Sequence, residues 1–383
     1  MSRRLRFLLT PPAIMLLAHL YVGQRLALVW PDSTWRLVSL VLITFMYLSI
    51  TAGFLIRHDQ STRFNDAVSW VAFSLLGLFS WLFVLSLVRD VVLVGRWAAT
   101  HWVGFSTHAY TAFTIYSALT VVILSLLATA IGFLHARRTP RIVHITIHLP
   151  HLAPALKGFS LAQITDLHVG PTIKKNFVEK VVKATNALGA DTIVLTGDLI
   201  DGDVAGLAEH TQVLAKLDAP LGVYAVTGNH EYYSGADQWI AEYRRLGMHV
   251  LQNEHVVIPI ADQCLVLAGV TDYDAKRFDP QQASDPYAAI ANSPEHAAAK
   301  ILLAHQPRSM WAAAQAGFDV QLSGHTHGGQ FWPWGYFVPL QQPLVAGLHQ
   351  YKNLQIYISR GTGYWGPPLR LGARAEITYI QLC

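Results

Sequence analysis

The first 143 residues contain four long stretches without a single charged side chain. Residues 7–24, 37–56, 67–88 and 97–136 carry no Asp, Glu, Lys or Arg, and they are bounded by Arg6, Arg25, Arg36, Arg57, Asp66, Arg89, Arg96 and Arg137. About 20 predominantly apolar helical residues cross the hydrocarbon core of a bilayer, so each of the first three intervals has the length of one span. In the fourth, His101, Thr107 and His108 make the beginning mixed, and the apolar part runs over 111–134. The spacing predicts about four transmembrane helices, near 7–29, 37–56, 67–88 and 111–134. The first is the least regular, with Pro11, Pro12, His19, Gln24 and Arg25. Prolines near its start suit a first turn, whose amides lack partners anyway, and Arg25 can snorkel or face the other helices. A soluble helical bundle would need many more polar flanks.

Charge adds an orientation. Residues 1–143 hold twelve Arg against four Asp, with no Lys or Glu, a net +8; the whole chain is +4, so residues 144–383 carry −4. Only 14% of the chain is charged and 52% is hydrophobic, against about 25% charged in ordinary soluble domains, which argues against disorder. The basic excess lies in Arg flanks of apolar runs and not in Lys-rich tracts, so no nucleic-acid partner is expected. With the N-terminus inside, Arg3, Arg4, Arg6, Arg57, Arg63, Arg137, Arg138 and Arg141 fall on the inner side and Arg36, Arg89 and Arg96 on the outer. By the positive-inside rule, four spans then leave the C-terminal half cytoplasmic, at the cell (inner) membrane. The competing reading takes Ser2-Arg3-Arg4 as part of a twin-Arg export signal; no small-x-small cleavage site follows, and three further spans do. Two cysteines, Cys264 and Cys383, cannot form a disulfide framework and leave the redox compartment open. The spans lack the paired charges of an ion pathway, and nothing pairs His19, His58, His101, His108 and His135 into a site.

The division expected is a transmembrane helical region over 1–143, a linker over 144–157 and one domain over 158–383. In that domain short apolar runs alternate with helix-like segments such as Lys174–Leu188, which indicates an α/β class. Polar residues cluster where the runs end: Asp166-Leu-His168, then Gly197-Asp198-Leu-Ile-Asp201, Gly228-Asn229-His230-Glu231, Ala304-His305 and Gly324-His325-Thr-His327. Each is weak alone. Asp-x-His fits any loop, Gly-Asp-x-x-Asp fits a helix cap and Gly-Asn-His fits a tight turn. Together, in order and each after an apolar run, they bring Asp, His, Asp, Asn and three more His to the carboxyl ends of strands, where open α/β sheets bind ligands. Carboxylate, amide and imidazole donors suit Mn, Fe, Zn, Co or Ni. Seven are too many for one tetrahedral ion and suit two divalent metals sharing a carboxylate, a pair that can stabilise both oxygens of a phosphoryl displacement with hydroxide as nucleophile.

These segments resemble the calcineurin-like metallophosphoesterases, whose motifs run D-x-H, G-D-x-x-D, G-N-H-[ED], H and G-H-x-H, over roughly residues 158–382. The resemblance implies a four-layer αββα sandwich of two mixed sheets. It implies one metal on Asp166, His168 and His327, a second on Asn229, His305 and His325, and Asp198 bridging them. It makes His230 the non-ligand histidine that neutralises the phosphate or protonates the leaving oxygen, and Asp201 a support behind the ligands or a helix cap. Joined to the N-terminal spans, the chain is similar to the membrane-attached branch of the family, some of whose members act on phospholipids, lipid anchors or UDP-diacylglucosamine.

The expectation is thus a membrane-anchored two-metal hydrolase of a phosphodiester or pyrophosphate, with the bilayer and a lipid-linked phosphoester as partners and the oligomeric state open. Alternatives are the same chemistry on a soluble nucleotide or phosphoprotein, and a non-catalytic membrane sensor or scaffold. Two aromatic loops, 331–337 and 364–370, bear on the substrate: Trp332, Trp334, Tyr232 and Tyr233 are candidates to line an apolar entrance, and Arg370 is a candidate phosphate clamp. The same loops could also sit in the membrane interface, where Trp and Tyr are favoured, and core packing of long loops is the competing reading.

Overall fold

The computed structural model describes residues 3–55, 62–103 and 107–383. The chain divides into two compact units. The first holds the N-terminal helices together with Gly366–Leu369, and the second holds His135–Trp365 with Arg370–Cys383.

Four long helices make up the first unit, apart from the last three residues of α4: α1 (Arg3–Leu26), α2 (Ser33–Leu55), α3 (Arg63–Val103) and α4 (Thr107–Arg137). Three stretches within α2, α3 and α4 (Ser33–Leu55, Arg63–Ala99 and Thr111–Arg137) are long and apolar enough to cross a membrane. Arg57 and His58 lie outside the described residues. Two details depart from the sequence expectation. Helix α1 starts at Arg3, so Pro11 and Pro12 fall inside it and not in its first turn. Helix α3 does not stop at Arg89 but runs for 41 residues, about 60 Å at 1.5 Å per residue, or twice a bilayer core.

The continuation past Arg89 has a polar explanation. Asp90 pairs with Arg25 Nε at 2.9 Å and accepts from the Tyr21 hydroxyl at 2.9 Å. Arg89 is buried and donates to Ser117 Oγ and Thr114 O of α4, both at 2.9 Å, and to Arg25 O of α1 at 3.3 Å. Charges that looked like flanks of separate spans therefore fasten α1, α3 and α4 together, and a paired charge exists among the helices where none was expected.

The second unit has two six-stranded sheets. The first runs β1 (Arg141–Ile147), β12 (Glu376–Leu382), β2 (Ser160–Ile164), β3 (Thr192–Thr196), β4 (Val223–Val226), β5 (His249–Val250); the second runs β10 (Gly347–Tyr351), β11 (Leu354–Ile358), β9 (Val320–Ser323), β8 (Ala299–Leu303), β7 (Gln263–Gly269), β6 (Glu254–Ile260). Both are mixed: β2, β3, β4 and β5 are parallel, as are β7, β8, β9 and β11, while β12 is antiparallel to β2, β6 to β7 and β10 to β11. Residues 144–147, part of the expected linker, lie in β1, which pairs in parallel with β12 from Arg141↔Glu376 to Ile147↔Leu382.

Strand faces explain the layering. Leu161, Val194, Val226 and Ile380 of one sheet share a buried core with Leu265, Leu267, Ile301, Leu303 and Leu322 of the other, so the sheets pack face to face. The opposite face of the first sheet, with Ile164, Ile193, Leu195 and Ala225, is covered by α5 (Lys175–Asn186), α6 (Val204–Thr211), the short α7 (Asn229–Tyr233) and α8 (Ala236–Arg245), through Phe177, Val181, Leu207, Tyr232, Trp239 and Tyr243. The second sheet's outer face, with Ala268, Leu302 and Ile356, meets α9 (Pro286–Ile290) and α10 (Met310–Ala316) through Ala289, Met310 and Ala313. Strands covered on both sides are buried along their whole length instead of alternating, as every residue of β2, β3 and β4 is. The result is an αββα sandwich.

Candidate metal centre

The carboxyl ends of β2, β3, β4, β8 and β9 converge, and the first candidate ligand of each motif lies two or three residues beyond its strand. Pairing continues past the strands: Asp166 N donates to Gly197 O at 3.0 Å, His168 N to Asp198 O at 3.2 Å and Gly324 N to His305 O at 2.9 Å. This laddering brings the Asp-x-His loop beside the Gly-Asp loop, and the lone His305 beside His325.

Backbone strain is concentrated here. Asp166, His168, Asp198, His325 and His327 all have φ between 51° and 71°, the left-handed region that non-glycine residues rarely occupy. Such strain persists where the surroundings fix it, and it clusters at functional sites. Two glycines make room. A Cβ on Gly228 would collide with the Asp198 carboxylate, and one on Gly324 with Asp166 and Thr165.

Among the described residues three groups of candidate ligand atoms result, each with its atoms within 4.8 Å of one another: Asp166, His168 and His327; Asp198, His305 and His325; and His168, Asp201 and His230. His168 Nε2 lies 3.0 Å from His327 Nε2, and His305 Nε2 lies 3.1 Å from both His325 Nδ1 and Asp198 Oδ2. Asp198 Oδ2 is also 4.0 Å from His168 Nε2, which sets Asp198 between the first two groups. Asn229 follows Gly228, and its buried Oδ1 has no hydrogen-bond partner among the described residues. An orphaned buried amide oxygen costs free energy, and a cation would satisfy it.

The surroundings orient the rings. His305 donates from Nδ1 to Thr196 O at 2.8 Å, and Nδ1 of His168 faces Asp201 Oδ1 at 2.9 Å. Both contacts aim Nε2 inward, the arrangement expected of a metal-ligating histidine. Burial disfavours the charged His305 ring, but Asp198 outweighs it and raises its pKa well above the ordinary value. His230 behaves alike: burial opposes its charge, yet Asp198 and Asp201 raise it to about 9. His325 goes the other way, pushed down to about 3 by burial and by His305. Burial raises Asp166. Donor types, inward ring nitrogens and the unpaired Asn229 oxygen together fit two divalent cations.

His230 sits at the edge of this cluster. Its Nδ1 is 2.6 Å from Asp201 Oδ1, its Nε2 is 3.8 Å from Asp198 Oδ2, and its backbone amide donates to Asp198 Oδ1 at 2.9 Å. Asp201 thus accepts from both His168 and His230 and does not cap a helix; the cap of α6 is Asp203, which accepts from Gly206 N.

Among the candidate substrate residues the structure separates two kinds. Tyr233 is 60% exposed, with its ring 5.2 Å from His230, and Trp332 and Trp334 are partly exposed. Tyr232 is buried in the core under the first sheet. Arg370 cannot be an open phosphate clamp: it is fully buried, and its guanidinium donates to Gly363 O, Arg360 O, His327 O and His327 Nδ1. It braces the His327 loop.

Two further residues shape the site without standing among the sequence candidates. Glu231 is fully buried and accepts from the amides of Asp198 (3.0 Å), Leu199 (2.8 Å) and Gly228 (2.6 Å) and from the Tyr243 hydroxyl (2.9 Å), tying the second motif to the third. Phe278 is half exposed and packs on Tyr233 at 5.6 Å. Glu231 at least stands inside a motif, whereas Phe278 has no local sequence signal.

Comparison with known proteins is decisive at this point. Residues 159–329 match the family model described as calcineurin-like phosphoesterase. A transmembrane protein with metallophosphoesterase domain from Bos taurus is 32% identical, over 99% of this chain and 89% of the relative. The chain belongs to the calcineurin-like phosphoesterase family. The Danio rerio protein of the same description is 30% identical with the same coverage of both chains, and an uncharacterized metallophosphoesterase of Helicobacter pylori (strain ATCC 700392 / 26695) is 35% identical over 66% of each chain. The first two extend the likeness across the N-terminal helices, so this is a membrane-associated calcineurin-like phosphoesterase, and the family supports phosphoester hydrolysis as its chemistry.

Proposed function

We propose that the chain is a membrane-anchored, two-metal hydrolase of a phosphodiester or pyrophosphate carried by a lipid, with its catalytic unit on the cytoplasmic side of the cell membrane. The observation that carries the hydrolase reading is the pair of ligand groups meeting at Asp198, with the unpartnered Asn229 oxygen beside it. Asp166, His168 and His327 would hold one cation and Asn229, His305 and His325 the other, with Asp198 shared. Two divalent ions bound there would polarise the phosphoryl group and acidify water. The protein's own part is to place a proton. His230, held by Asp201 at one ring nitrogen, directs its other toward the site and would protonate the departing oxygen, as a general acid does. Glu231 and Arg370 keep the loops in register around it.

The lipid reading rests on the surroundings of His230. Tyr233 and Trp365 place their rings 5.2 and 6.1 Å from its ring, Phe278 extends the group, and all three are about half exposed or more. Apolar rings beside a cluster of charged donors suit a substrate with a phosphate at one end and hydrocarbon at the other. The cytoplasmic orientation is argued from the Arg bias, eight on the inner side against Arg36 and Arg96 on the outer, with Arg89 left out because it is buried among the helices. Hydrolysis of a soluble nucleotide or phosphoprotein is the competing substrate class. Competition between lipid pyrophosphates or phosphodiesters and soluble phosphoesters, on the full chain in detergent with Mn²⁺, separates the two. Preference for the lipid supports the proposal, and equal or better turnover of a soluble ester removes the lipid part while leaving the hydrolase part standing.

A further inference from the structure

The loop that follows the His325–His327 motif is built unlike an ordinary connection. From Val320 to Tyr351 the chain carries no Asp, Glu, Lys or Arg, although about a quarter of the residues in soluble domains are charged. Its outermost part is apolar and open to solvent: Tyr336 is 77% exposed, Phe337 53% and Leu340 85%, beside the partly exposed Trp332 and Trp334. Large side chains of this kind, contiguous on a surface, mark an interaction site.

The loop is also held firmly at both roots. At the start, Gln330 exchanges two hydrogen bonds of 2.9 Å with the backbone of Trp365, and Trp332 N donates to Leu371 O at 3.0 Å. At the end, Gln342 donates to Gln306 Oε1 at 3.0 Å, next to His305, and Arg308 donates to Gln341 O. Two single 3₁₀ turns, Trp334–Tyr336 and Val338–Leu340, shape the tip. An apolar ridge is thus fixed between two ligand-bearing loops with its tip outward.

We infer that the ridge Trp332–Leu340 docks into the surface of the lipid bilayer, dipping its aromatic and leucine side chains to the level of the headgroups. Three observations select lipid over a protein partner or a second copy of the chain. Only Arg138, Thr139 and Pro140 separate α4 from β1, and three extended residues reach about 10 Å, so this unit cannot leave the neighbourhood of a bilayer. The ridge combines Trp and Tyr with aliphatic residues, the composition favoured at membrane interfaces. It carries no charge to pair with a protein surface. The inference depends on the membrane association of the chain and not on its substrate.

The test uses the full chain in proteoliposomes, with Cys264 and Cys383 replaced by Ser. Tyr336→Cys and Leu340→Cys each receive an environment-sensitive nitrobenzoxadiazole label, and Asp262→Cys, in the exposed β6–β7 turn, serves as the control. Docking predicts that labels at 336 and 340 lose fluorescence to doxyl-labelled lipid and resist aqueous iodide, while the label at 262 does the reverse. Iodide quenching at 336 and 340 as strong as at 262 overturns the inference. So does protection from iodide without quenching by the lipid, which would mean a protein contact. Two ridge positions guard against one disruptive label, and the thermal unfolding transition of each variant, compared with the unlabelled protein, reports that the unit is folded. Failure here leaves the hydrolase proposal intact, since no turnover is read.

Discussion

Asp201 Oδ1 lies 2.6 Å from His230 Nδ1. The same oxygen lies 2.9 Å from Nδ1 of His168, so one carboxylate orients both a candidate metal ligand and the candidate proton donor. Asp201→Asn keeps the size and one acceptor oxygen but removes the charge that strengthens both contacts. Loss of such an outer partner typically costs about 10–100-fold in activity or metal affinity. We expect kcat to fall in that range and metal affinity to weaken at the group containing His168, read by kinetics and by metal titration of the variant. A change confined to thermal stability would mean that Asp201 is only a brace.

His230→Ala removes the proton donor without removing a ligand. The expected result is retained metal content with turnover reduced roughly 10²–10⁴-fold, the usual share of a general acid. The loss should shrink for substrates whose leaving group needs no proton, such as nitrophenyl esters. Equal losses on good and poor leaving groups would contradict the role.

The charge state of His230 gives a prediction with a definite sign. In the metal-free protein Asp198 and Asp201 outweigh burial and hold its pKa at about 9. A raised histidine pKa stabilises the fold fully below its unfolded value, about 6.5, and that contribution is lost as pH rises through about 9. Loading with divalent ions neutralises the carboxylates that hold the proton, so His230 should titrate lower in the loaded protein. Imidazole NMR of the two forms checks this; an unchanged titration on loading would place the ions elsewhere.

Asp198→Asn tests the shared carboxylate. Asp198 Oδ2 stands 3.1 Å from His305 Nε2 and 4.0 Å from His168 Nε2, one in each group. The substitution should lower occupancy at both positions together, measured as metal stoichiometry after gel filtration. Loss of only one ion would show that Asp198 serves a single group.

The chemistry-bearing part of this fold was legible because it is local. Each motif sits directly after an apolar strand, so five strand ends could be read off the chain and joined through one sheet topology. Other features depend on distant partners. The left-handed backbone at Asp166, His168, Asp198, His325 and His327 has no sequence mark, because these residues carry the strain for the site and no glycine announces it. β1 was hidden in an expected linker because its pairing partner, β12, lies over 200 residues away. Arg89 looked like the end of a span until α1 and α4 supplied its partners. Arg370 looked like a phosphate clamp, yet its five donors are spent on carbonyls and on His327. Phe278 comes to His230's neighbours only through folding of the loop after β7.

The most direct test of the central claim is metal-dependent turnover by the purified full chain. The protein, stripped of metal in detergent, is titrated with Mn²⁺ while binding and hydrolysis of a phosphodiester are followed together. The account predicts binding of two ions per chain, with hydrolysis appearing as the second is bound and abolished again by chelator. Two ions bound without hydrolysis of any lipid or model phosphoester, or full activity in the stripped protein, would contradict it.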